Sequence, residues 1–285
     1  GDAFPDRFFD VGIAEGHAVT AAAGMAAIGG VRPLVCIYST FLQRAFDSIV
    51  HDVALQDLPV VFCMDRAGLA GPDGPTHHGS FDIPYMLLVP GMTVTAPKDG
   101  AEMMALVRLG IQHEDGPFSV RWPRDAVPEA VPHVSEIPDV EYGTWEILRR
   151  GSDLAFLATG TMVGAAAEAA EALASRGVQA EVVNCRFLKP YDREVLRDVA
   201  GRHRRVITIE EGAVINGFGA YMVRELAALA SEPSIEVRCL GLPDRFIEHG
   251  ARDVLLIDLG LDAQGIETEA RRMLGDAVVA TAESA

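Results

Sequence analysis

Short apolar runs of strand length alternate along the chain with longer segments whose apolar residues recur at helical spacing, and the alternation occurs twice. In the first half, PLVCIYS (33–39), PVVFCMD (59–65), GMTVTAP (91–97) and PFSVRWP (117–123) read as strands. Between the first two, Leu42, Ala45, Phe46, Ile49, Val50 and Val53 follow a helical period, and a helix over 99–113 follows the third. The second half repeats the pattern with DLAFLATG (153–160), VQAEVVNC (178–185), RVITIEE (205–211) and IEVRCLG (235–241), joined by helices such as the Ala-rich stretch at 162–177. Strands alternating with helices bury both faces of a sheet, so the expected class is α/β, with two successive parallel or mostly parallel sheets flanked by helices. The stretch 126–142, rich in Pro, Glu and Val and without helical period, reads as a linker between domains at 1–125 and 143–285.

The pattern is least ordinary near the start, in FFDVGIAEGHAVTAAAGMAAIGG (8–30). After a short apolar run, Glu15 opens a helix made almost wholly of Ala, Gly, Val and Met, which should be packed closely on most of its surface. A first-turn carboxylate either complements the positive end of the helix dipole or is a buried acid that hydrogen-bonds a ligand, and the pattern leaves both open.

Composition narrows the partners. The formal net charge of -17 argues against a nucleic-acid surface, so an anionic substrate would need local arginines. No apolar run is long enough to span a bilayer and no basic leader starts the chain, which reads as a soluble cytoplasmic protein with no membrane contact. Cys36, Cys63, Cys185 and Cys239 lie in strand-like runs without CxxC spacing, and are expected to be buried free thiols.

Candidate chemistry concentrates in the first half. DRAGLAGPDGPTHHGSFD (65–82) follows an apolar strand, where ligands of open parallel sheets bind, and supplies Arg66, Asp73, His77 and His78 within a Gly-Pro framework. In IYSTFLQRAFD (37–47), Tyr38, Ser39 and Thr40 open a helix with Thr40 as its N-cap, and Phe41 and Arg44 lie on the first turn. VRWPR adds Arg121 and Arg124 at a strand end. Guanidinium forks match phosphate oxygens, which makes Arg44, Arg66, Arg121 and Arg124 candidates for a phosphate clamp, although spacing does not establish that they converge. The second half offers few such clusters.

FPDRFFDVGIAEGHAVT, IYSTFLQRAFDSIVHDVALQDLPV, DRAGLAGPDGPTHHGSFD and GLPDRFIEHG together resemble thiamine-diphosphate enzymes of the transketolase group, and most closely the 1-deoxy-D-xylulose-5-phosphate synthases. The resemblance implies a pyrimidine-binding domain followed by a transketolase C-terminal domain. It implies that Glu15, in a largely apolar pocket, hydrogen-bonds N1′ of the cofactor's aminopyrimidine. Phe41 would stack on that ring with Tyr38 and Arg44 close by, Asp73 and His77 would face the reacting carbons, and Arg66 and Arg124 would hold a substrate phosphate. The implied reaction decarboxylates pyruvate and transfers the two-carbon unit to D-glyceraldehyde 3-phosphate, giving 1-deoxy-D-xylulose 5-phosphate and CO2 for isoprenoid, thiamine and pyridoxal synthesis. The family's GDG element with its following Asn, which binds the diphosphate and Mg²⁺, has no counterpart in the sequence. Those ligands are therefore expected from an N-terminal diphosphate-binding domain or companion chain, in a dimer of the complete enzyme. The alternatives are a beta subunit of a 2-oxo acid dehydrogenase, the C-terminal subunit of a split transketolase, and a non-catalytic nucleotide-binding or regulatory module in which Glu15 merely caps.

Overall fold

A computed structural model of the chain describes residues 2–127, 137–229 and 234–275. The first half contains helix α1 (Glu15–Ile28), strand β1 (Leu34–Tyr38), short helices α2 (Ser39–Leu42) and α3 (Phe46–Ser48), β2 (Val61–Asp65), α4 (Asp82–Leu88), β3 (Thr93–Thr95), α5 (Gly100–Gln112) and β4 (Phe118–Arg121). The second contains β5 (Glu146–Arg149), β6 (Leu154–Ala158), α6 (Met162–Ala174), β7 (Ala180–Asn184), β8 (Phe187–Lys189), α7 (Arg193–Arg202), β9 (Arg205–Ala213), α8 (Phe218–Leu229), β10 (Glu236–Leu242), α9 (Arg252–Asp258) and α10 (Ala263–Leu274).

These strands form two five-stranded sheets, ordered β1-β2-β4-β3-β8 and β10-β9-β6-β7-β5. Both are parallel except at one edge, where β8 runs antiparallel to β3 and β5 antiparallel to β7. The mostly parallel α/β architecture is thus as the alternation implies. The two antiparallel edge strands lie outside every apolar run singled out in the sequence. Strand β8 crosses from the second half to complete the first sheet, and the cores interlock in the same way. Trp145 and Phe218 join the first core with Phe62, Phe118 and Phe187, while Leu69 of the first half is buried in the second core with Phe156, Ile207 and Ile209.

Several local expectations are revised. The helical segment after β1 is a series of short pieces: α2, a 3₁₀ turn, α3, a π-helical turn at Ile49–Val53 and a last 3₁₀ turn. Leu42, Ala45, Ile49 and Val53 are nevertheless buried, because a helix that changes pitch can still keep one stripe inward. Tyr38 occupies the N-cap position of α2 and makes no side-chain cap bond, so Thr40 is a buried helical residue and not the cap. Helix α1 buries only Val19, Ala22, Ala23 and Ala26, since it lies on the outside of β1 and the segment behind it and has one face inward. Phe8, Phe9, Ile13 and Ile28 around it are exposed. Of the cysteines, Cys63 and Cys185 are buried, Cys239 is half-buried and Cys36 is exposed on the edge strand β1. The expected linker falls largely on residues 128–136, outside the described residues. Among the described residues no helix is long and apolar enough to cross a membrane.

Candidate active site

The loop after β2 is built as a closed collar. Arg66 turns the chain with φ of 57°, and Gly68 and Gly79 exchange backbone hydrogen bonds of 2.8 and 2.7 Å across the neck. Buried His78 braces the inside: Nδ1 accepts from the Ala70 amide at 2.9 Å, which leaves the ring proton on Nε2 to donate to the Glu248 carbonyl at 3.3 Å. His78 is therefore a strut, with both ring nitrogens bonded to backbone groups. Asp73 is exposed and His77 half-buried on the outer side of the collar.

Tyr38 and Phe41 bring rings to the same region, stacked with centroids 5.6 Å apart and 17° between planes. His77 meets Phe41 edge-on at 5.3 Å. The Arg44 guanidinium lies 5.1 Å from the Phe41 centroid and donates to Glu15 Oε1 at 2.8 Å. Arg66 lies 3.8 Å over the Tyr38 ring and also pairs with Asp65. Glu15, Arg44, Phe41, Tyr38, Arg66 and His77 thus form one chain of contacts.

Glu15 is the first residue of α1, and its side chain is 12% exposed. Its carboxylate makes no bond to a backbone amide; among the described residues its one partner is Arg44. A local cap hydrogen bond does not account for it, and the Arg44 cation stands beside it. An acid with an uncommitted oxygen beside an aromatic platform fits a flat nitrogen heterocycle, which needs a face to stack on and an acceptor for ring or amino N–H groups.

The four candidate clamp arginines do not behave alike. Arg124 donates to Asp73 at 2.6 Å, and both side chains are partly exposed. Arg66 is held by Tyr38 and Asp65. Arg44 serves Glu15. Arg121 is withdrawn from the clamp: it is buried, donating to Asp82 at 2.8 Å and to the Glu211 carbonyl at 2.9 Å.

The second half is richer in polar chemistry than its sequence implied. Glu210 accepts from the Phe218 and Gly219 amides, each at 2.8 Å, at the start of α8. Burial pushes its carboxyl up to about 7 against the opposing pull of those amides and of Arg121. Glu211 is buried against Arg252. The available signal was the pair of acids closing the apolar strand RVITIEE, because buried charges require partners. Among the described residues no group of three or more His, Cys, Asp or Glu side chains is arranged to hold a metal ion.

Comparison with known proteins accounts for both halves. Residues 1–129 match the family described as transketolase, pyrimidine binding domain, and residues 143–266 match transketolase, C-terminal domain. The 1-deoxy-D-xylulose-5-phosphate synthase of Aquifex aeolicus is 52% identical over 272 residues, covering 95% of this chain and 42% of the relative. 1-Deoxy-D-xylulose-5-phosphate synthase 1 of Geobacter sulfurreducens is 51% identical over 263 residues, covering 92% and 41%. The chain spans about two fifths of the length of these relatives. A solved structure titled "Split gene transketolase, inactive beta4 tetramer" superposes with a TM-score of 0.82 at 33% identity, covering 96% of this chain and 85% of that one. Similarity that runs through both sheets, the collar and the start of α1 leaves one assignment: the chain belongs to the transketolase family of thiamine-diphosphate enzymes, and corresponds to the pyrimidine-binding and C-terminal portion of its 1-deoxy-D-xylulose-5-phosphate synthase members.

Proposed function

We propose that this chain forms the pyrimidine-binding part of a synthase that makes 1-deoxy-D-xylulose 5-phosphate and CO2 from pyruvate and D-glyceraldehyde 3-phosphate. The diphosphate of thiamine diphosphate and its Mg²⁺ are held by a portion outside this chain, on the same polypeptide or on a companion, within a dimer. Exposed Phe8, Phe9 and Ile13, shortly before Glu15 in the chain, support a second surface there, since large apolar side chains facing water close together in sequence mark contact sites.

When bound, the cofactor supplies an electron sink for the carbons of pyruvate. The chain's residues orient and protonate. Glu15 shares a proton with N1′ of the pyrimidine through the oxygen that Arg44 leaves uncommitted, while Arg44 fixes the carboxylate's orientation. Phe41 gives the pyrimidine a flat apolar face. His77, set by its edge contact with Phe41, exchanges a proton with the substrate oxygen, and Asp73 orients the same end. Arg124 holds the substrate phosphate together with Arg66. Its pairing with Asp73 is partly exposed, and such a pair is worth only about 0–1 kcal/mol, so an incoming dianion displaces the carboxylate at little cost.

The observation that carries this reading is the Glu15–Arg44–Phe41 cluster at the start of a small-residue helix, in a chain about half identical to named synthases. The test is product formation from the two substrates with thiamine diphosphate and Mg²⁺, by this chain alone and combined with the remaining portion of a synthase. Product only in the combination supports the proposal. Absence of product with both parts folded and associated favours the split-transketolase reading, to which the structural neighbour gives independent support.

A further inference from the structure

The collar that presents Asp73 and His77 runs from β2 of the first sheet to α4, yet beyond its neck several of its fixing points lie in the second half of the chain. Leu69 buries its side chain in the second core and donates its backbone N–H to Glu211 Oε1 at 2.8 Å. The Gly250 amide donates to the Gly71 carbonyl at 3.4 Å, and His78 reaches the Glu248 carbonyl. Glu211 is gripped in turn by Arg252, with Nε to Oε1 at 3.0 Å and Nη2 to Oε2 at 2.5 Å. The same guanidinium donates to Thr161 Oγ1 at 3.0 Å and to Asp125 Oδ2 at 2.5 Å. Asp125 follows Arg124, which pairs with Asp73. One buried carboxylate and one guanidinium therefore tie down both the collar and the turn bearing Arg124.

The fit is close. A Cβ at Gly68, where φ is +77°, would stand 2.6 Å from the Glu211 carboxyl carbon, so glycine is what lets the acid reach the Leu69 amide. A bidentate charge pair in a low-dielectric site holds both groups in one orientation, which a solvated loop with only its neck bonds would lack.

We infer that Glu211 and Arg252 are positioning residues, acting from the C-terminal half to set the geometry in which Asp73, His77 and Arg124 meet the acceptor substrate. The inference rests on the proposed roles of those three residues. It gives the second domain a definite part in the site without contact with the reacting atoms.

Hydrogen exchange on this chain is the test, with Glu211→Ala, which loses both the amide acceptor and the charge pair, and Arg252→Lys, which keeps the charge and loses the fork. Amides from Leu69 to His78 should exchange roughly tenfold or more faster in Glu211→Ala and by a smaller factor in Arg252→Lys, with β6 and β7 unchanged. Unchanged collar exchange, or equal acceleration in the collar and those strands, would overturn the inference. If Glu211→Ala fails to fold, Arg252→Lys decides by the same criterion. In the completed enzyme, Arg252→Lys should raise KM for the phosphorylated aldehyde several-fold more than KM for pyruvate; an equal rise would also overturn it. The exchange result does not depend on turnover, so inactivity of the unsubstituted enzyme would count against the proposed function and not against the anchor.

Discussion

Glu15 gains meaning from what it does not bond. A first-turn acid usually completes the helix end, yet this one gives an oxygen to Arg44 and makes no backbone cap bond. Residue type and position made it a candidate in the sequence, as they did Phe41, Tyr38, Arg44 and His77, because all five sit in the helix starts or loops that follow apolar runs. Sequence could not sort the arginines, since strand-end position is shared by buried Arg121 and accessible Arg124, and only a buried partner such as Asp82 separates them. Arg124→Ala should therefore raise KM for D-glyceraldehyde 3-phosphate by about 10-fold or more, the value of a charge-assisted bond, with little change for pyruvate. Steady-state kinetics varying each substrate check this, and equal effects on both would remove Arg124 from the phosphate site.

At the scale of elements, the parallel strands were legible because buried strands read as continuous apolar runs. The edge strands β5 and β8 were not, because short antiparallel edges are set by a partner strand far away in sequence. Two carboxylates that fasten helices make the stability of the fold depend on pH in opposite directions. For Glu181 on β7, burial pushes the pKa up, but hydrogen bonds from His203 and Arg202 at the end of α7 outweigh it and hold the group at about 2. Its folded value lies below the ordinary 4.5, so its contribution is complete above 4.5 and is lost as pH falls toward 2. Glu210, raised to about 7, binds its proton more tightly in the folded state, so its contribution is complete below 4.5 and is lost as pH rises through 7. Glu210→Gln should lower stability at acid pH and flatten the decline between pH 4.5 and 7, as read from thermal unfolding at several pH values. Parallel pH profiles for the two proteins would contradict this assignment.

Across the whole molecule, the two halves are joined by exchanged parts: β8 completes the first sheet, and Leu69 is buried in the second core. This interlocking could not be read from the sequence, since a leucine in a Gly-Pro loop carries no periodic signal. Leu69→Ala should cost about 2–5 kcal/mol, the range for a buried leucine, and should lower the denaturation midpoint of both halves together. Separate transitions, with only one half shifted, would mean that the cores do not fold as a unit.

The proposed function turns on Glu15 activating the pyrimidine of the bound cofactor. This is tested most directly by the rate at which the thiazolium C2 proton exchanges with deuterium, followed by NMR in the completed enzyme with Glu15 and with Glu15→Gln. Exchange should be slowed by about 10²-fold or more in Glu15→Gln, with the cofactor still bound and the fold unchanged. Exchange at the unsubstituted rate would contradict it, and would return Glu15 to the role of a charge at a helix end.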